Sequence, residues 1–247
     1  YNEMKLDVEV FQLNFKKENN LESSKIKLEN IKQKIINSNS KLLIFAENNY
    51  PFLIKDLNLK QIQNLLNKNQ NVVIGGTRIE NEKYYNSLLN ITRNNILYYD
   101  KKILVPFGEF LPLRKYLSFM ESISGTIDYS LGDQRRKIDL DNDISYIPVI
   151  CYEIIFYWKL LNSINYKSNF IINITNDIWF GKRLGPYQHF YLTKLRAAEF
   201  NKPIIRVSNN GISGLIDTNG KILSITKLNK ADSLKFNLDL NTKNNFY

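Results

Sequence analysis

Three side chains of complementary chemistry each follow a short apolar run. Glu47 comes after Lys41–Ala46 (KLLIFA), Lys101 after a run ending in Tyr98-Tyr99, and Cys151 after Tyr146–Ile150. A thiol, a carboxylate and an ammonium supply a nucleophile, a base and a charge stabiliser, which is a complete acyl-transfer set without histidine. In sheets flanked by helices, functional residues gather where strands end. Cys151 falls where a strand gives way to a predicted helix. The positive end of a helix dipole is expected there to lower its thiol pKa, with the Tyr152 backbone N–H as an oxyanion donor. Glu47, partly desolvated, would have a raised pKa and could take the thiol proton. Each residue also has a plainer reading. A lone cysteine after an apolar strand can be a small buried hydrophobe, Glu47 a helix-capping carboxylate, and Lys101 one of many surface lysines.

The elements that would carry these residues are legible from periodicity. Lys5–Phe15 alternates apolar and polar residues, which predicts a strand. Glu18–Ile36 has apolar residues at helical spacing. Lys41–Ala46 and Asn71–Thr77 carry short apolar runs, which predicts strands buried on both faces. Leu57–Leu66 reads as helix, and Tyr84–Tyr99 as two strands around a turn at Arg93-Asn94-Asn95. Ser145–Cys151, Asn169–Thr175 and Ile204–Ser208 read as strands, with helices over Glu153–Leu161 and Tyr187–Phe200. Three strands close the chain between Gly211 and about Asp239. Val105–Lys137 shows no sustained period and reads as a long loop rich in Phe and Leu. Strands alternating with helices, then a strand-rich end, place the chain in the α/β class with helices packed on mixed sheets, as one domain over 1–247.

Composition sets the outer limits. The 247 residues are 43% hydrophobic and 13% aromatic, enough for a sizeable core, so global disorder is excluded. One cysteine rules out a disulfide framework and a cysteine-built zinc site, and the lone His189 argues against a histidine-rich metal site. His189 reads as a structural residue that hydrogen-bonds or caps. The net charge of +10 accompanies 34 Asn and only 4 Ala, a skew that points to codon composition. Its cations are scattered, with Arg135-Arg136-Lys137 the densest block, read as a solvated run or a lipid-headgroup contact. Nucleic acid is therefore not an expected partner. Asn209-Asn210-Gly211 reads as a turn with positive φ. No apolar stretch reaches the ~18–20 residues of a membrane span.

Longer words then narrow the chemistry. Glu47, Lys101 and Cys151, in that order at strand ends, resemble the Glu-Lys-Cys triad of the carbon–nitrogen hydrolase (nitrilase) superfamily. LVPFGEFLP (104–112), CYEIIF (151–156), NDIWFG (176–181), GPYQHF (185–190), LRAAE (195–199) and SNNGISG (208–214) are similar to its apolipoprotein N-acyltransferase branch. The likeness covers nearly the whole chain and is densest from Tyr99 to Asp217. It implies an αββα sandwich, with two mixed sheets between outer helices. Carried over residue by residue, it implies Glu47 as general base, Lys101 as oxyanion stabiliser and Cys151 as the thioester-forming nucleophile. Glu109 would be an auxiliary carboxylate near the lysine, and Glu153 would fix the nucleophile's turn. Tyr152, Asn176 and Trp179 would line the pocket. One departure shows: the branch commonly has proline before the base, where this chain has Ala46, and alanine should loosen that turn.

The function so implied is ping-pong N-acylation without metal or cofactor. Cys151 would take an acyl chain from a membrane phospholipid and pass it to the α-amine of a lipidated N-terminal cysteine on an apolipoprotein. The loop 105–137 would be an apolar lid. The enzyme would be a monomer at the bacterial inner membrane with this domain on the periplasmic face. A start at Tyr1 and an abrupt end at 244–247 give the expectation of a catalytic domain cut from a longer membrane protein. The rival readings are a soluble amidase using the same triad and a catalytically silent module.

Overall fold

The computed structural model describes residues 4–16, 20–106, 108–110, 128–161, 168–181 and 183–240, with Trp179 and Phe180 described by backbone alone. The first half builds a sheet from β1 (Lys5–Gln12), β2 (Leu42–Phe45), β3 (Ile54–Lys55), β4 (Asn71–Glu80), β5 (Lys83–Ile91) and β6 (Ile96–Asp100). The second builds another from β7 (Ile138–Asp139), β8 (Ser145–Ile150), β9 (Phe170–Thr175), β10 (Ile204–Ser208), β11 (Gly214–Ile216) and β12 (Ile222–Ile225). The last strand, β13 (Asp232–Asp239), returns to pair antiparallel with β1. The sheet orders are β13-β1-β2-β4-β5-β6, with β3 on β4, and β12-β11-β10-β9-β8-β7. Both are mixed: β1, β2 and β4 run parallel, as do β8, β9 and β10, while the flanking strands are antiparallel.

Alternation along the strands makes the layers. In β2, Leu42 and Ile44 face the other sheet, where they join Val8, Val10 and Val73 against Phe170, Ile172, Ile174 and Val207. Their neighbours Leu43 and Phe45 point outward, onto Leu28, Ile31 and Ile35 of helix α1 (Leu21–Ile36). The second sheet repeats the pattern, with Ile147, Val149 and Ile171 packed on Phe190, Ala197 and Phe200. Those three belong to α4 (Leu184–Phe200). Two short helices, α2 (Lys60–Gln63) and α3 (Tyr157–Leu161), complete the described set. The central strands are thus buried on both faces, each large aliphatic side chain contributing roughly 1.5–3 kcal/mol. This is the expected αββα sandwich.

Two helices differ from expectation for local reasons. The helix predicted over Leu57–Leu66 shortens to α2, because Asp56 and Leu57 adopt φ of 51° and 47° and the chain enters the helix only after them. Leu59, Ile62 and Leu66 still bury their side chains. The helix predicted over Glu153–Leu161 is a 3-10 turn, Cys151–Ile155, and then α3; Phe156, at φ −86° and ψ 68°, breaks it.

Candidate active site

Glu47, Lys101 and Cys151 converge on one cavity of about 440 Å³, whose walls also include Asn86, Glu109, Tyr129, Tyr152 and Asn176. Each is delivered by the end of a strand. Glu47 follows β2, which lies between β1 and β4. The turn holding it is tight: the Ala46 carbonyl accepts from the Gly75 N–H at 3.1 Å, and a Cβ on Gly75 would lie 2.6 Å from the Glu47 Cα. The Ala46 N–H donates to Asn49 Oδ1 at 2.9 Å. Proline could not make that bond, so here a side chain braces the turn in place of a ring. The loosening expected at Ala46 is offset.

Lys101 follows β6 and donates through Nζ to Glu109 Oε1 at 2.7 Å, with Glu47 Oε1 at 3.7 Å. Asn86 Nδ2 on β5 ties the carboxylates together, donating to Glu47 Oε1 at 2.8 Å and to Glu109 Oε1 at 2.7 Å. The other Glu109 oxygen accepts from the Val105 N–H at 2.9 Å, closing a local turn at the cavity wall. Asp100 fixes the strand end beneath Lys101. It is paired with Arg78 at 2.5 Å, and the Arg78 guanidinium lies over the rings of Tyr85 and Tyr98.

Cys151 begins its 3-10 turn in a left-handed conformation, φ 50°, and is buried. Glu153 locks that turn. Its carboxylate accepts from the Ile150 N–H at 2.9 Å and from the Lys102 N–H at 2.9 Å, linking the residues around Cys151 to those after Lys101. Tyr99 Oη donates to it at 3.0 Å, and Arg136 pairs with it through two nitrogens at 3.0 and 2.9 Å. Arg136 is therefore an interior residue rather than part of a solvated charge run, and it also lies over the Tyr99 ring. The charged group is retained inside because a buried carboxylate needs a counter-ion.

Electrostatics corrects one expectation. The Cys151 thiol is not lowered; burial and then the Glu47 charge push it up to about 12, against the opposing pull of Lys101. A short 3-10 turn carries little dipole, and desolvation of the thiolate outweighs it. Burial also raises Glu47, opposed by Lys101. Lys101 loses proton affinity to burial but regains more from Glu47, Cys151 and Glu109, so it stays charged. The resting site is thus a neutral thiol and a buried base lining one cavity, beside a permanent cation. That arrangement can move the thiol proton to Glu47 as a carbonyl is attacked and place Lys101 near the developing oxyanion.

Behind Cys151 lies a buried polar cluster that periodicity did not reveal. Asp177 accepts from Arg206 Nη2 at 2.9 Å, and His189 Nδ1 lies 2.9 Å from it. His189 Nε2 lies 3.3 Å from the Cys151 carbonyl oxygen, in keeping with a structural part. The chain bends at Asn209-Asn210-Gly211 between β10 and β11, as expected, but without the predicted positive φ, and Gly211 packs onto this cluster. The need for glycine is space: a Cβ would sit 1.8 Å from Asp177 Oδ2 and 2.5 Å from Ser208 Oγ. Gly211→Ala should therefore destabilise by about 1–3 kcal/mol or more, read as a lowered midpoint of thermal unfolding. A variant as stable as the parent would show that the cluster yields freely.

Tyr152 and Asn176 lie on the cavity wall. Trp179 lies on the 3-10 turn Asp177–Phe180, and its expected lining role falls on a side chain outside the described residues. The lid expectation falls mostly outside them too, at Phe107 and 111–127. Asn48, Tyr129 and Asn176 also border a second cavity of about 370 Å³ with Lys16, Lys27, Asn49 and Thr77 on its walls. Among the described residues no group of three or more His, Cys, Asp or Glu could hold a metal ion.

The family model for carbon-nitrogen hydrolases matches residues 10–244. The chain belongs to that family. Among curated relatives, carbon–nitrogen hydrolase residues of this chain are 38% identical over 183 residues to the apolipoprotein N-acyltransferase of Rickettsia typhi, covering 71% of this chain and 37% of that protein. The apolipoprotein N-acyltransferase of Allorhizobium ampelinum is 39% identical over 202 residues, covering 76% and 38%. The chain thus spans well under half the length of these relatives. A carbon–nitrogen hydrolase superfamily protein of Xanthomonas campestris superposes with a TM-score of 0.73 at 15% identity, covering 96% of this chain and 91% of that one. Nit3 of Saccharomyces cerevisiae, from the nitrilase superfamily, gives 0.68 at 20% identity, covering 95% and 90%. These two likenesses bear on the fold.

Proposed function

We propose that this carbon–nitrogen hydrolase chain, as one domain over 1–247, is an N-acyltransferase that works through a Cys151 thioester. The observation that carries the reading is the convergence of Glu47, Lys101 and Cys151 on one cavity. In the first half-reaction Glu47 takes the thiol proton, sulfur attacks the acyl ester of a phospholipid, and Lys101 meets the oxyanion. The lysophospholipid leaves with the proton returned from Glu47. In the second, the α-amine of a lipidated N-terminal cysteine attacks the thioester, and the thiol is regenerated. Glu109, held against Lys101, and Glu153, holding the nucleophile's turn, keep the set in register; Trp179 joins Tyr152 and Asn176 as pocket lining. No metal or organic cofactor takes part. We place the enzyme, as a monomer, at the bacterial inner membrane with this domain on the periplasmic face. Among the described residues no helix is long and apolar enough to cross a membrane, so the anchoring segments would lie elsewhere.

Two features favour a phospholipid donor over a small amide. The named relatives are apolipoprotein N-acyltransferases at 38–39% identity. The second cavity adjoins the first, and the described residues on its walls include Lys16 and Lys27 and no carboxylate, which suits a phosphate beside an acyl ester. Intact-mass spectrometry tests the reading, with the chain incubated with phospholipid vesicles and, separately, with a dissolved short-chain phospholipid. The expected result is one acyl adduct on Cys151, discharged by an N-terminal cysteinyl lipopeptide. Turnover of small amides without a lasting adduct would favour the amidase, and neither result would leave a silent module.

A further inference from the structure

Thr175, the last residue of β9, sits beside Cys151 because β8 and β9 run parallel with Ile150 opposite Ile174. It is fully buried. Its Oγ1 lies 3.3 Å from Cys151 Sγ and 3.1 Å from Asp177 Oδ1. A hydroxyl carries one proton, so it can serve only one of these acceptors at a time. Asp177 does not depend on it. That carboxylate also accepts from Arg206 Nη2 at 3.1 and 2.9 Å and from Ser208 Oγ at 3.0 Å, with His189 Nδ1 at 2.9 Å. The sulfur has no second neutral donor among the described hydrogen bonds.

We propose that Thr175 is a positioning residue whose hydroxyl turns from Asp177 to the Cys151 sulfur as the thiol ionises. The S–H bond breaks, its proton forms an O–H bond on the Glu47 carboxylate, and the Thr175 O–H bond stays intact. Only its hydrogen bond changes partner. The groups that govern ionisation of Cys151 come from four directions: Glu47 after β2, Lys101 after β6 with Glu109 behind it, Asp177 after β9, and His189 of α4 at the backbone carbonyl. Burial and the carboxylates oppose the thiolate, while Lys101 and Thr175 favour it. Lys101 acts as a charge, and Thr175 acts as a hydrogen bond aimed at the sulfur.

Alkylation of the chain's one cysteine by iodoacetamide reads this directly and requires no acyl donor, so its outcome is separate from that of the acyltransferase reading. Second-order rates measured between about pH 7 and pH 10 follow the thiolate fraction. Thr175→Val removes the hydroxyl at nearly constant volume and should slow alkylation about tenfold at every pH in that range. Thr175→Ser keeps the hydroxyl and should remain within about twofold of the parent. Rates are taken well below each variant's unfolding transition, and Thr175→Ala replaces the valine variant if that one does not fold. Parent-like alkylation in the hydroxyl-free variant would overturn the proposal. So would a serine variant as slow as the valine one, since loss of the methyl and not of the hydroxyl would then be responsible.

Discussion

Cys151→Ser should leave the chain folded and abolish the acyl adduct, while Lys101→Met should lower the acylation rate by at least about 10²-fold. The serine variant folds because oxygen and sulfur side chains are close in volume and Glu153, which fixes the turn, is untouched. It does not react because a buried hydroxyl is far harder to ionise than a thiol already pushed up to about 12. The methionine keeps the length of Lys101 and removes its charge. Glu47 and Glu109 then share Asn86 without a cation, and burial with the Glu109 charge, no longer opposed by Lys101, favours a protonated Glu47 that cannot accept the thiol proton. The base is weakened together with the oxyanion site, so both steps slow. The pH profile carries a linked signature. Glu47 must be ionised to accept the thiol proton, and burial raises its pKa. The acylation rate should therefore climb with pH through a midpoint above the ordinary glutamate value of about 4.3. Glu47→Gln should abolish that climb. Near-parent turnover in Lys101→Met or Cys151→Ser, measured by intact mass and by product, would sink the mechanism.

Much of this site was readable because parallel strands between two layers have no solvent face. The runs that became β2 and β8 are almost wholly apolar and buried, and a charged or reactive residue just past such a run stands out. Glu47 and Cys151 were visible on that ground, whereas Lys101 follows the antiparallel, partly exposed β6 and stood out by its place at a strand end in the same order as the other two. Asn86 was not. It bridges two carboxylates, yet it is one of 34 asparagines in a half-alternating strand, and residue type alone carries no sign of its partners. Arg136 and Arg206 were hidden for a related reason. A basic residue reads as solvated until the carboxylate that neutralises it is known, and Glu153 and Asp177 lie 17 and 29 positions away. The thiol's direction of shift was misread because position at a helix start was legible, whereas depth of burial and the length of that helix were not.

Asp177→Asn should cost about 3–5 kcal/mol of stability, the range measured when one partner of a buried ion pair is removed. Arg206 is wholly buried, and Asp177 is its carboxylate partner at 2.9 Å. The amide supplies no charge, and its NH₂ group meets the Arg206 Nη2 donor whichever oxygen it replaces. At roughly 2–4 °C per kcal/mol for a chain of this size, unfolding should begin about 10 °C lower. The loss depends on pH with a definite sign. Burial raises the Asp177 pKa, but Arg206 and then His189 outweigh it and hold the group well below the ordinary aspartate range. Its stabilisation is therefore fully present above the ordinary value of about 3.9 and fades as pH falls toward the folded value. Glu153, also held low, loses its share in the same direction. The parent's stability should fall on acidification below about pH 4, and the asparagine variant, lacking one of those groups, should fall less steeply. Adding Arg206→Met to Asp177→Asn should recover part of the loss, because the uncompensated charge goes with it. Recovery stays partial, since Arg206 also donates to Asn173 Oδ1 at 2.8 Å and to the Ile212 carbonyl at 3.2 Å. An Asp177→Asn variant within about 0.5 kcal/mol of the parent at pH 7, by denaturant titration, would show that the pair does not hold this wall of the site.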